Sequence, residues 1–143
     1  MKQFFTLRNA IAALMLSMLF TSCSSKDVTA PLSNNVSAPV SYSDANIGIN
    51  NFQASEVSNQ ELQVSFSLLY ANNVTSIQVL SGSSPNQLCS FYQVNVPGNL
   101  TSATSYSVND TNIKGSTMYF MIKFTLSDGN WGYTPVYSLQ VKQ

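Results

Sequence analysis

The chain has 143 residues, six Lys/Arg against six Asp/Glu, no histidine, and only 8% charged residues. A neutral chain without a basic patch lacks the Lys and Arg on which phosphate-backbone affinity rests, which argues against nucleic acid as a partner. The missing histidine removes the usual general base at neutral pH and the commonest zinc ligand, so neither enzyme activity nor a metal or cofactor is expected.

Lys2 and Arg8 make a short positive n-region, and Ala10 to Phe20 carries no charge. That run is shorter than the roughly 20 apolar residues needed to span a bilayer. It matches the apolar h-region of an export signal, about 7–15 residues long. Thr21 and Ser22 then lead to Cys23.

Leu19-Phe20-Thr21-Ser22-Cys23 resembles the lipobox of bacterial lipoproteins, with Phe20 where leucine is usual. The resemblance implies that residues 1–22 are a signal peptide and that Cys23 is lipidated before cleavage. The mature chain then has 143 − 22 = 121 residues and is held to a membrane by the lipid on Cys23. Ser24, rather than aspartate, follows the cysteine, which by the same resemblance implies an outer membrane. Lys26-Asp27 is similar to the charged patch that some lineages use for surface display, and the choice between periplasmic and surface faces stays open. With Cys23 acylated, Cys89 has no partner in the chain. The alternative is a Cys23–Cys89 disulfide in an unlipidated protein, which sequence alone does not settle.

Residues 23–45 are rich in Ser, Asn, Pro and Ala, a composition that buries too little surface to offset chain entropy. They are expected to form a flexible tether. The domain is expected over residues 46–143, where period-2 runs recur between Gly, Asn, Ser and Pro clusters. Ile47 to Phe52 opens the series, and Leu62, Val64, Phe66, Leu68 and Tyr70 alternate without a miss. A turn at Asn72-Asn73 precedes a strand at Ile77 to Leu80, and a loop over residues 82–86 leads to a strand from Leu88 to Val96 whose facing is ambiguous. Tyr106 and Val108 mark a short strand, and Met118, Phe120, Ile122 and Phe124 line one face of a strong one. Asp128-Gly129 supplies hairpin chemistry, after which Tyr137, Leu139 and Val141 alternate to the end.

About seven short strands with turns every 8–12 residues predict an all-β, immunoglobulin-like antiparallel β-sandwich. The stretch from Thr104 to Phe124 resembles fibronectin type III domains, with Ile113 in the place of a leucine, Gly115 and Thr117 serving the turn, and Met118 where the corner tyrosine of that family falls. Phe66 stands in for the usual tryptophan of the second strand. The fold by itself implies no activity.

Among candidate sites, Glu56 and Glu61 flank the first connection, where solvated turn residues are common, and Asp110-Thr111-Asn112 and Asp128-Gly129-Asn130 are explained by Asx-turns rather than calcium. Trp131, Tyr133 and Tyr137 are the candidate ligand-binding residues. Trp131 and Tyr133 share a face by strand alternation, where they either close the end of the core or form an aromatic rim for a sugar ring or a partner protein. The expected function is therefore a lipid-anchored envelope protein with a non-catalytic binding or structural module for glycan or protein. The alternatives are a fimbrial or assembly subunit acting by edge-strand pairing, and a small envelope hydrolase.

Overall fold

The computed structural model describes Val36, residues 38–142 and, for the backbone alone, Cys23–Ser25. The signal-peptide assignment of residues 1–22 and much of the expected tether lie outside the described residues. Alternating apolar residues make strands throughout the rest: β1 (Cys23–Ser25), β2 (Val40–Ser43), β3 (Ile47–Ser58), β4 (Glu61–Asn72), β5 (Val74–Ser84), β6 (Gln87–Asn95), β7 (Asn99–Leu100), β8 (Thr104–Asp110), β9 (Thr117–Leu126), β10 (Trp131–Tyr133) and β11 (Tyr137–Gln140).

All pairings are antiparallel and fall into two sheets. The first runs β1-β6-β5-β9-β10, with β11 also on β9; the second runs β2-β3-β4-β7, with β8 also on β4. The sheets pack face to face as an immunoglobulin-like sandwich. β3, β4, β5, β6, β8, β9 and the β10–β11 run carry it; β1, β2 and β7 are short additions. β6 stays beside β5 instead of joining the β3–β4–β8 sheet, as the extra strands of variable-type domains join the sheet of their third strand.

The core follows from the alternation. Leu62, Val64, Phe66 and Leu68 of β4 face Ile77 and Val79 of β5 and Met118, Phe120, Ile122 and Phe124 of β9 in one buried cluster. Each such side chain contributes about 1.5–3 kcal/mol on full burial. Phe66 is buried in this core, stacked on Tyr106 at 5.1 Å and lying 6.3 Å from Phe52. A buried side-chain tie crosses between the sheets: the Ser81 hydroxyl on β5 donates to Asp110 Oδ2 at the end of β8, at 2.5 Å.

At the corner before β9, Lys114 N–H donates to Met118 Sδ at 3.5 Å. In immunoglobulin-type sandwiches a tyrosine hydroxyl at such a corner bonds back to upstream backbone. Here a thioether, a weak acceptor, makes the upstream bond from a fully buried side chain.

Three expectations need correction. The tether was expected to run to residue 45, yet Val36 is fully buried. Its N–H donates to Ser138 O on β11 (2.8 Å) and its carbonyl accepts from Ala54 N–H on β3 (3.0 Å). Val36 thus stitches the two sheets at their open side, and β2 adds to β3. Single apolar residues among Ser, Asn and Pro give no periodic signal, so composition concealed them. Second, β3 and β4 extend to Ser58 and Glu61, replacing the expected loop between Glu56 and Glu61 by a tight hairpin. Third, β5 continues to Ser84, so the expected loop over residues 82–86 shrinks to a turn.

β2 is held by a polar knot. Asp44 Oδ1 accepts from Asn46 N–H (2.7 Å) and Ile47 N–H (2.8 Å), Asp44 Oδ2 accepts from the Tyr42 hydroxyl (3.0 Å), and the Tyr70 hydroxyl donates to Asp44 O (2.7 Å). Burial, then the hydrogen bond to Asp44 and its charge, pushes the Tyr42 phenol up to about 12.

Two outcomes follow. A chain starting at residue 38 should be less stable to urea than one starting at residue 24. The loss is roughly 3–5 kcal/mol, from two backbone bonds at about 1 kcal/mol each and one buried valine at about 1.5–3 kcal/mol; a true tether would give no difference. The raised Tyr42 pKa means the folded state keeps a proton that the unfolded chain releases near pH 10. Its contribution is complete below about pH 10 and is lost as pH rises through about 12. Tyr42→Phe should flatten the fall in urea stability across that window.

Candidate functional site

β9 and β10 set the geometry of the aromatic candidates. Trp131 lies opposite Thr125, Gly132 opposite Phe124, and Tyr133 opposite Lys123. Phe124 is buried in the core, so alternation turns Trp131, Tyr133, Thr125 and Lys123 to the outer face of the first sheet. Trp131 is 61% exposed, and Tyr133 is half-buried. Of the two arrangements open from sequence, Trp131 adopts the exposed one.

Gly132 makes this possible. A Cβ there would collide with the Phe124 ring, whose Cζ and Cε atoms occupy its space. The aromatic ring covers the glycine from the core side, and the chain can pass close to β9. The preceding turn is closed by Gly129 at φ +87° and by Asp128, which accepts from Asn130 N–H and Nδ2 at 2.9 Å each. Those bonds from Asn130 hold the Asp128 carboxyl below its ordinary value.

Tyr137 is corrected as a surface candidate. It is 3% exposed, and its ring sits 5.0 Å from Phe52 in the core. The cause is a change of parity. From Tyr133 to Tyr137 the chain advances 137 − 133 = 4 positions, while the paired residues on β9 go from Lys123 to Phe120, or 123 − 120 = 3. One extra residue in the Thr134–Val136 segment therefore flips the strand. Pro135, which has no donor, stands in this interruption on an edge strand, where its loss to the ladder is tolerated. Thr134 fills the gap: its hydroxyl accepts from Ile122 N–H at 3.0 Å and its own N–H donates to Ile122 O at 2.9 Å.

The sheet extends the outer face beyond the residues singled out by sequence. Across β10, β9, β5 and β6 one row reads Tyr133, Lys123, Gln78, Gln93, and the neighbouring row reads Trp131, Thr125, Ser76, Asn95. Gln78 Nε2 donates to Gln93 Oε1 at 2.8 Å. Lys123 Nζ lies 5.7 Å from the centre of the Trp131 ring, a cation–π distance. Four strands at about 4.8 Å spacing make a platform on the order of 14 Å across. It offers one aromatic end, one cation, and a field of neutral amides and hydroxyls. Lys123, Gln78, Gln93 and Ser76 escaped the sequence reading because strand order, not local pattern, assembles the rows. Beside the platform, Leu80, Leu88, Met121 and Val136 form a second buried cluster flanked by Tyr119 and Tyr133.

The carboxylates are dispersed into structural roles. Glu56 accepts from Lys142 N–H, Glu61 from Asn109 Nδ2, and Asp110 from Ser81 and Asn112 N–H. On the second sheet, a shallow depression of about 320 Å³ is lined by Asn51, Gln53, Ser65, Ser67, Ser105 and Ser107, with Phe66 and Tyr106; none of the sequence candidates reaches it.

Two states were left open for Cys89: no partner within the chain if Cys23 is acylated, or a disulfide with Cys23. In the structure it is disulfide-bonded, and the other cysteine of the chain, Cys23, stands opposite it where β1 pairs with β6.

Gly132→Ala should destabilise the domain by about 1–3 kcal/mol through overpacking against Phe124, read as a lower urea midpoint. It should also shift the fluorescence of Trp131, the single tryptophan, as β10 moves off β9. Comparison of the chain with protein-family models, with curated proteins and with solved structures finds no match in any of the three.

Proposed function

We propose that this chain is a lipid-anchored protein of the bacterial cell envelope, most simply of an outer membrane, whose sandwich recognises a neutral glycan without catalysing a reaction. The anchor reading rests on the lipobox-like Leu19 to Cys23 after an uncharged apolar run. A diacyl anchor supplies about 0.8 kcal/mol per buried CH₂, and two chains hold where one exchanges.

The observation that carries the recognition reading is Trp131, 61% exposed at the head of a nearly uncharged row of hydrogen-bonding side chains. A sugar ring presents an apolar C–H face and a rim of hydroxyls. The indole suits the first by stacking, and Gln78, Gln93, Thr125 and Ser76 suit the second. A charged ligand would meet Lys123 as the one cation of the two rows, already directed at the indole. The non-catalytic reading is supported by the absence of histidine from the sequence and by carboxylates engaged in separate turns and strand ends.

The test uses the mature domain and a panel of neutral oligosaccharides, cello-, xylo-, malto- and manno-series. Binding should quench or shift the Trp131 emission directly. Trp131→Ala should weaken the best ligand about tenfold, equivalent to about 1.4 kcal/mol, with the urea midpoint unchanged because the side chain is exposed. No response to any member of the panel, or equal affinity of the variant measured by calorimetry, would sink the glycan reading. Mass spectrometry of the mature N-terminus tests the anchor separately: a diacylglyceryl adduct on Cys23 is expected, and an uncleaved Met1 would overturn it.

A further inference from the structure

A cysteine has one sulfur, and two bonds contend for that of Cys23. Cys89 is disulfide-bonded, the chain contains two cysteines, and Cys23 is the residue directly opposite Cys89 in the β1–β6 register. Directly opposed residues on antiparallel strands have Cα atoms about 4.5 or 5.5 Å apart, within the roughly 4.4–6.8 Å that a disulfide spans. The lipobox uses the same sulfur for its thioether. We propose that Cys89 competes with the lipid donor for Cys23, so that the oxidation state of this pair decides whether the chain is acylated and matured. The inference rests on the lipobox reading above and adds a regulator to that site.

The two reactions are distinct in their balance. In the first, the Cys23 and Cys89 thiols lose two protons and two electrons and form an S–S bond. A thiol–disulfide oxidoreductase of an oxidising compartment accepts the electrons, its own disulfide becoming two thiols. In the second, the Cys23 thiol loses one proton and its sulfur bonds to the glycerol carbon of a phospholipid. The carbon–oxygen bond to the phosphate headgroup breaks, and the headgroup leaves with that electron pair. Thiol exchange reverses the first reaction but not the second. The disulfide is therefore a reversible hold, and acylation is an exit from it.

The fold favours such a hold. β1 is three residues long and pairs with Gln87–Cys89 alone, at the edge of the first sheet. A strand that short opens at small cost once its covalent link is broken. Reduction would then free Cys23 without disturbing the sandwich, whose N-terminal clasp begins at Val36.

The experiment expresses the full chain in a bacterium that matures lipoproteins, with diamide or dithiothreitol present during synthesis. Free thiols are trapped with N-ethylmaleimide, and intact masses are read without reduction. Under diamide, the wild type should shift toward an unacylated species that retains residues 1–22, is lighter by two hydrogens and takes no maleimide. Under dithiothreitol it should become acylated and take one maleimide, on Cys89. Cys89→Ala should be acylated fully under both conditions, with loss of the oxidised species. If that variant fails to accumulate, the contrast between the two wild-type samples decides. Complete acylation of the wild type under diamide, with Cys89 still reactive, would refute the competition and leave the lipobox reading standing. No acylation of either chain under dithiothreitol would refute the lipobox reading itself, and the competition with it.

Discussion

β9 is the constraint on which the rest depends, because its two faces serve different ends. It lies between β5 and the β10–β11 run, so it is paired along both of its edges. Its even-numbered residues, Met118, Phe120, Ile122 and Phe124, are all buried in the core. Its odd-numbered residues present Lys123 and Thr125 to the platform and Met121 and Tyr119 to the outer cluster. A slip of one residue would exchange these sets. The core thus fixes the outer face: burying Phe124 is what turns Lys123 and Thr125 outward beside Trp131. Gly132 completes the arrangement, since the Phe124 ring occupies the space its side chain would need.

Strict alternation was legible and irregular alternation was not. The β4 run from Leu62 to Leu68 and the β9 run from Met118 to Phe124 face the core as their period requires. β6 looked ambiguous because it carries an extra residue: Tyr92 lies opposite Val79 while Ser90 lies opposite Leu80, and Phe91 and Tyr92 both pack against the core. Tyr137 was misassigned to the surface by the same kind of event at Thr134–Val136. A bulge is one residue of mismatch between two strands, and one strand's sequence does not contain the count of its partner. Val36 was hidden for a different reason. A single buried valine, held by two backbone bonds to different sheets, has no neighbours to make a pattern.

The polar groups show how a chain with so few charges keeps its sheets in register. Uncharged side chains carry little long-range field, so specificity must come from short hydrogen bonds and shape. Ser81 and Asp110 supply a buried cross-sheet bond, and a slip of either sheet would leave a buried carboxyl oxygen without its donor, at a cost of about 1–3 kcal/mol or more. Asp44 fixes β2 through Tyr42 and Tyr70 in the same way. At the corner before β9, Met118 Sδ accepts from Lys114 N–H. A fully buried thioether thus sits at a corner of the kind that immunoglobulin-type sandwiches tie with a directional O–H bond.

The same neutrality bears on what the platform can recognise. Isolated apolar residues on a surface are ordinary, and Val57 and Leu69 are exposed here as well. Trp131 differs in its neighbours rather than in its exposure. It heads a row whose members are aligned by strand pairing, with the indole face already polarised by Lys123. A rigid two-torsion side chain loses little entropy when a ligand stacks on it, and the sheet behind it does not reorganise. For the proposed glycan, the platform would therefore contribute preorganisation on a rigid element, which a loop-borne tryptophan of equal exposure would lack.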